Sequence, residues 1–190
     1  DVYKRQGYAV LSMNFRGSTG YGRSHVKMAN GEWGRKMQDD VTDSVNWAVE
    51  QGIADPDNVC IYGASYGGYA VMAGITKTPK MYKCAVNYVG VTDMGLLFSK
   101  MPKVWEIWEE QQKIEIGDYE NDKEYLDAVS PINLVDRIET PLYIVHGVRD
   151  WRVPIQHAQK LRRELEKNGK VEGEDFWWMV KTDEGHGFYK

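Results

Sequence analysis

Gly63-Ala64-Ser65-Tyr66-Gly67-Gly68 follows a short apolar run, Val59-Cys60-Ile61-Tyr62, and opens a longer one from Tyr69 to Ile75. The order reads as strand, sharp turn, helix. A serine at such a turn adopts a strained backbone, so small residues are needed two before and two after it. Gly63 and Gly67 are read as supplying that clearance. The strain pushes the Ser65 hydroxyl out of the sheet edge. The backbone N–H of Tyr66 and the N-terminus of the following helix then lie beside it, where negative charge is favoured.

A serine hydroxyl is inert near neutral pH unless a base takes its proton and a third group orients that base. The strand–serine–helix turn is the nucleophile-elbow pattern of α/β-hydrolases, in which the acid and then the histidine follow the serine along the chain. Leu142-Tyr143-Ile144-Val145 reads as a buried strand after Pro141, and it runs into His146-Gly147-Val148-Arg149-Asp150. Asp150 therefore falls on a loop just past a strand end. Phe176-Trp177-Trp178-Met179-Val180 reads as another strand, followed by Glu184-Gly185-His186-Gly187-Phe188.

The chain has 4 histidines. His25 precedes the serine, His146 lies before the acid at the end of a buried strand, and His157 falls on a helix too soon after Asp150. His186 alone fits order, position and turn chemistry. Among acids, Asp183 stands too near His186 to orient it from a separate loop, which leaves Asp150.

These stretches together resemble the catalytic domain of the prolyl oligopeptidase family of serine peptidases, most closely its acylaminoacyl-peptidase-like branch. The resembling residues are Asn14-Phe15-Arg16-Gly17-Ser18-Thr19-Gly20-Tyr21-Gly22, the elbow with Gly68 and Tyr69, His146-Gly147-Val148-Arg149-Asp150-Trp151-Arg152-Val153-Pro154, and Gly185-His186-Gly187-Phe188. The resemblance implies a peptidase that cuts short peptides through an acyl-enzyme, with Ser65 as nucleophile, His186 as base and Asp150 as its partner. It implies no cofactor. It also implies an N-terminal β-propeller in the full-length chain, an early His-Gly-Gly segment and a closing helix after the histidine. None of these is in the sequence, so residues 7–190 are expected to be a partial catalytic domain cut at both ends. Val2-Tyr3-Lys4-Arg5-Gln6 reads like the translation of a transposon-end adapter from sequencing libraries, and Asp1 to Gln6 are expected to be non-native. The other reading of this segment is a helix end capped by Gly7.

Composition is that of a soluble globular domain: 190 residues, 42% hydrophobic, net charge −4. A mildly acidic balance gives no electrostatic footprint for nucleic acid or an anionic membrane. No signal peptide or membrane segment is visible, and the compartment stays open. Cys60 and Cys84 are each expected in a buried strand as small hydrophobes without need of a disulfide, and no metal-ligand spacing is present. With 7 Trp and 12 Tyr, aromatic mass is available for a cleft, a core or an interface between copies of the chain.

Strands alternate with helices. One helix is expected from Lys36 to Gln51, with Val41, Val45, Ala48 and Val49 on one face and Gly52 ending it. Another begins at Pro154 and carries Ile155, Ala158, Leu161 and Leu165. Five strands, at Tyr8–Asn14, Val59–Tyr62, Cys84–Val89, Leu142–Val145 and Phe176–Val180, imply an α/β fold: a doubly wound, mostly parallel sheet of the α/β-hydrolase type. Ser65, Asp150 and His186 all follow strands and so gather at its carboxyl edge.

The segment from Val91 to Tyr119 follows a strand end. It either builds a substrate pocket, with Val91, Trp105 and Trp108 as candidate lining residues, or packs as a cap without substrate contact. Arg152, two residues past the acid, is a candidate contact for the substrate's carbonyl or negative end. Asp118 to Asp122 lacks the glycine and terminal glutamate of a calcium loop and reads as a solvated turn. A carboxylesterase on the same fold, or a folded domain without catalysis, are the competing readings.

Overall fold

The computed structural model describes residues 7–188, so the reading of residues 1–6 lies outside it. Its helices are α1 (Arg23–Lys27), α2 (Lys36–Glu50), α3 (Tyr66–Lys77), α4 (Met94–Ser99), α5 (Glu109–Glu115), α6 (Lys123–Ala128) and α7 (Gln156–Lys167). Its strands are β1 (Cys60–Ala64), β2 (Cys84–Tyr88), β3 (Leu142–Gly147) and β4 (Phe176–Lys181). They form one parallel sheet in the order β1-β2-β3-β4.

Register explains the core. Ile61, Ala85, Leu142 and Phe176 form one row across the sheet, and Ile144 and Trp178 stand on the same face one row on. This face packs against Val71, Met72 and Ile75 of α3 and against Ala158, Leu161 and Leu165 of α7. The 3₁₀ segment Pro131–Arg137 completes the packing with Ile132 and Val135. The alternate row, Tyr62-Val86-Tyr143-Trp177, points to the opposite face, where Tyr62 and Trp177 are exposed. This is the period-two alternation of a strand. The middle of α3, by contrast, is apolar on all sides and is buried from Gly68 to Thr76.

Two expectations are corrected. Among the described residues there are four strands, not five: residues 7–14 form none, and Tyr8, Val10 and Leu11 are exposed. A strand exists only through hydrogen bonds to a neighbour, and β1 pairs only with β2. The apolar pattern at Tyr8–Asn14 is strand-like, but the described residues give it no partner. The second correction concerns the cysteines. Cys60 is exposed, Cys84 is half-buried, and the two are joined in a disulfide. They are direct partners in the parallel β1–β2 register, with Cα atoms 4.7 Å apart, close enough to be bridged.

The loop after β2 is locked onto α7. Thr92 donates from its N–H to Nδ1 of His157 (3.2 Å) and from its hydroxyl to the His157 carbonyl (3.0 Å). Asp93 caps α4 by accepting from Leu96 N–H and pairs with Lys160 of α7. Because His157 Nδ1 accepts, its proton sits on Nε2, which is buried without a protein partner among the described residues. Burial pushes this imidazole down to about 4.

The buried His157 and the disulfide both affect stability measurably. The folded state resists protonation of His157, whereas the unfolded chain takes the proton near pH 6.5. The stability held above that value is therefore lost as pH falls towards about 4, and it amounts to about 3 kcal/mol. His157→Gln should show a smaller fall in Tm than wild type between about pH 7 and about pH 5; an equal fall contradicts the assignment. The disulfide closes a loop of sequence separation 24, a constraint of about 3 kcal/mol on the unfolded chain. Reducing agent should lower Tm by roughly 6–12 °C. In Cys60→Ser/Cys84→Ser it should have no effect, and an unchanged wild-type Tm contradicts the bridge.

Candidate active site

β1 ends at Ala64, α3 begins at Tyr66, and Ser65 between them has φ 58° and ψ −119°. A non-glycine residue in that region carries about 1–3 kcal/mol of backbone strain, which the surroundings must hold. They do so with hydrogen bonds on both sides. Ser65 N–H donates to the Tyr88 carbonyl at the end of β2 (3.0 Å), and Tyr69 N–H donates to the Ser65 carbonyl (3.1 Å).

Close approach explains two of the glycines. A Cβ at Gly63 would lie 2.3 Å from the Gly67 carbonyl oxygen, and one at Gly68 would lie 2.6 Å from Gly90 Cα. A Cβ at Gly67 would meet nothing within 4 Å. The clearance expected from Gly63 and Gly67 is thus supplied by Gly63 and Gly68. Gly67 enters only as the backbone that Gly63 must avoid.

The acid and histidine loops converge on this turn from β3 and β4. Val148 N–H donates to the Lys181 carbonyl and Arg149 N–H to the Glu184 carbonyl, each at 2.9 Å, which ties the two loops together. Gly147 permits the contact, since a Cβ there would lie 2.4 Å from the Gly185 carbonyl oxygen. His186 consequently stands between its two neighbours. Its Nδ1 is 2.7 Å from Asp150 Oδ2 and its Nε2 is 2.9 Å from Ser65 Oγ. The Asp150 carboxylate is fully buried, and its Oδ1 accepts from the N–H groups of Arg152 (3.0 Å) and Val153 (2.9 Å). Phe188, just past the histidine, packs its ring on Tyr88 and donates its N–H to the Tyr88 hydroxyl. An imidazole placed this way can take the serine proton while its far nitrogen is held by a carboxylate.

Tyr66 is the first residue of α3, so its N–H has no intrahelical acceptor. Its ring lies in an aromatic cluster with Phe15, Trp33 and Tyr69, at centroid distances of 5.5, 4.5 and 5.8 Å. Burial pushes its phenol far up, and the hydroxyl stays neutral, donating to Met37 Sδ. The loop around Phe15 is pinned to α2 by Arg16. The Arg16 guanidinium and backbone N–H both bond Asp40, and these bonds hold the Asp40 carboxyl below its usual range.

The expected substrate contacts divide. Arg152 is exposed, with its guanidinium 5.3 Å over the Trp151 ring. Trp105, half-buried in the 3₁₀ segment Lys103–Trp108, reaches the same ring at a centroid distance of 6.3 Å. Trp108 faces solvent, 58% exposed. Val91 is buried with Tyr69, Met94, Leu97 and Leu126, so that part of the 91–119 segment is a packed cap. The Trp151 ring itself, between Asp150 and Arg152 in the chain, is 53% exposed. The acidic loop at 118–122 closes on itself: Asp118 accepts from Glu120 N–H and Asn121 Nδ2. Among the described residues no cluster of His, Cys, Asp and Glu is arranged to hold a metal, and no helix is long and apolar enough to cross a membrane.

The chain is 42% identical over 186 residues to dipeptidyl aminopeptidase BIII of Pseudoxanthomonas mexicana, covering 96% of this chain and 26% of that protein. It is 36% identical over 188 residues to dipeptidyl peptidase family member 6 of Caenorhabditis elegans, covering 97% and 25%. A puromycin-hydrolyzing peptidase of Mycobacterium tuberculosis has a solved structure with TM-score 0.84 and 27% identity, covering 92% of this chain and 25% of that one. The chain therefore spans about a quarter of the length of the curated relatives it matches. Its parallel sheet is that of the α/β-hydrolase peptidases. The prolyl oligopeptidase family model matches residues 1–190, and the chain belongs to that family.

Proposed function

We propose that the protein containing this chain is a serine peptidase acting on short peptides. Ser65 is the nucleophile, His186 the general base and Asp150 the residue that orients it. The observation that carries the reading is the continuous hydrogen-bonded chain from Ser65 Oγ through His186 to Asp150, 2.9 and 2.7 Å long at its two links. Its acceptor end is a buried carboxylate whose other oxygen takes two backbone N–H groups.

In the first step Ser65 Oγ bonds to the scissile carbonyl carbon and His186 Nε2 takes the hydroxyl proton. The carbonyl oxygen becomes an oxyanion, and the Tyr66 N–H, left without an intrahelical acceptor at the α3 N-terminus, donates to it. His186 then gives its proton to the departing amine, leaving an ester on Ser65. Water, deprotonated by the same imidazole, releases the acid. Asp150 keeps Nδ1 protonated throughout and stabilises the imidazolium.

The names of the two curated relatives support a finer reading, the release of dipeptides from a free N-terminus. The Trp105–Trp151 pair with Arg152 beside the acid is suited to an apolar side chain and a peptide carbonyl. An N-terminal propeller upstream of the chain belongs to the same proposal.

A fluorophosphonate should label the full-length protein and leave Ser65→Ala unlabelled. Labelling that survives the substitution removes Ser65 from the role. A dipeptidyl anilide should be cleaved faster than its N-acetylated form; the reverse order contradicts dipeptide release.

A further inference from the structure

His146 takes no part in the proton transfers above, yet it is buried against the turn that supports the acid. It sits on β3, 1% exposed, four residues before Asp150. Its Nε2 lies 2.8 Å from the Val153 carbonyl oxygen. A carbonyl can only accept, so Nε2 carries the proton and donates. The Val153 residue held in this way is the one whose N–H donates to Asp150 Oδ1. One peptide thus connects the two side chains: His146 grips residue 153 at its carbonyl, and residue 153 grips Asp150 at its amide.

The same His146 nitrogen lies 3.6 Å from Asp150 Oδ2, the oxygen that faces His186. That is too long for a hydrogen bond but near enough for charge to matter. A cationic His146 would compete with the His186 imidazolium for one carboxylate oxygen. The charged and titratable groups facing His146 are Asp150 on its own loop, His186 from the loop after β4, and His157 from α7, behind which Asp93 pairs with Lys160. Asp150 favours protonation and His186 opposes it. Burial is the largest effect and pushes the imidazole down.

We propose that His146 is a positioning residue for the acid, acting through its hydrogen bond to Val153, which fixes the 150–153 turn and so the angle at which Asp150 meets His186. The proposal rests on the Ser65–His186–Asp150 reading and adds to it a residue that touches neither substrate nor reacting atoms.

The test uses His146→Leu, His146→Gln and His146→Asn in the full-length protein. It measures the rate constant for fluorophosphonate labelling, kcat and KM on a chromogenic dipeptidyl substrate, and Tm. His146→Leu should lower the labelling rate and kcat by about tenfold or more with KM within about twofold, because orientation of the base is lost and substrate binding is not. His146→Gln, whose amide N–H can span to the Val153 carbonyl, should recover to within about threefold of wild type, and the shorter His146→Asn should not. If His146→Leu does not fold, the comparison of Gln with Asn decides alone. Equal rates for Gln and Asn in folded samples, or a lowered Tm with an unchanged labelling rate, overturn the proposal and leave the triad standing. A wild type that takes no label removes the triad reading and this one with it.

Discussion

The positive φ of Ser65 is the constraint on which the rest of the site depends. It costs energy locally, so the chain must hold it from several sides. The Tyr88 carbonyl takes the Ser65 N–H, the first turn of α3 takes the Ser65 carbonyl, and Gly63 and Gly68 let backbone from the elbow and from Gly90 come within contact. The supports come from β1, β2, the loop after β2 and α3, and α3 is buried from Gly68 to Thr76. In the proposed role, a serine held this rigidly loses little freedom on reaction, which is how orientation becomes rate.

Parallel pairing does the remaining assembly. Every strand of the described sheet runs the same way, so every strand end opens on the same edge. Three of the four strand ends supply a member of the candidate triad, and the fourth supplies the carbonyl that fixes the elbow. The disulfide stands at the opposite, amino end of β1 and β2. Burial follows the same polarity, with Asp150 and His146 enclosed beneath the loop and the Trp151 and Arg152 side chains left outside it.

The elbow, the histidine loop and α2 and α7 were legible because each rests on local chemistry. Gly-x-Ser-x-Gly specifies a turn, and Ile155, Ala158, Leu161 and Leu165 specify a helix face. What the sequence concealed depends on partners distant along the chain. Tyr8–Asn14 has a strand's composition, but composition does not supply a neighbouring strand. Cys60 and Cys84 read as separate buried residues because their adjacency is a matter of register, which no local pattern reveals. The role of Gly68 rather than Gly67 was hidden for the same reason, since its close neighbour is Gly90, in the loop after β2. His146 could be read as a satisfied structural histidine, but its acceptor could not be identified, because that depends on how the 150–153 turn folds back.

The central claim is that the strained serine forms a covalent intermediate with its substrate. The direct measurement is acid quenching of the full-length protein during turnover of a slowly deacylating chromogenic ester, followed by intact mass and peptide mapping. The account predicts a burst of chromophore approaching one per active site and a matching acyl mass on the peptide that contains Ser65. An acyl group mapped to any other residue, or turnover with no covalent adduct under conditions where deacylation is rate-limiting, would contradict it.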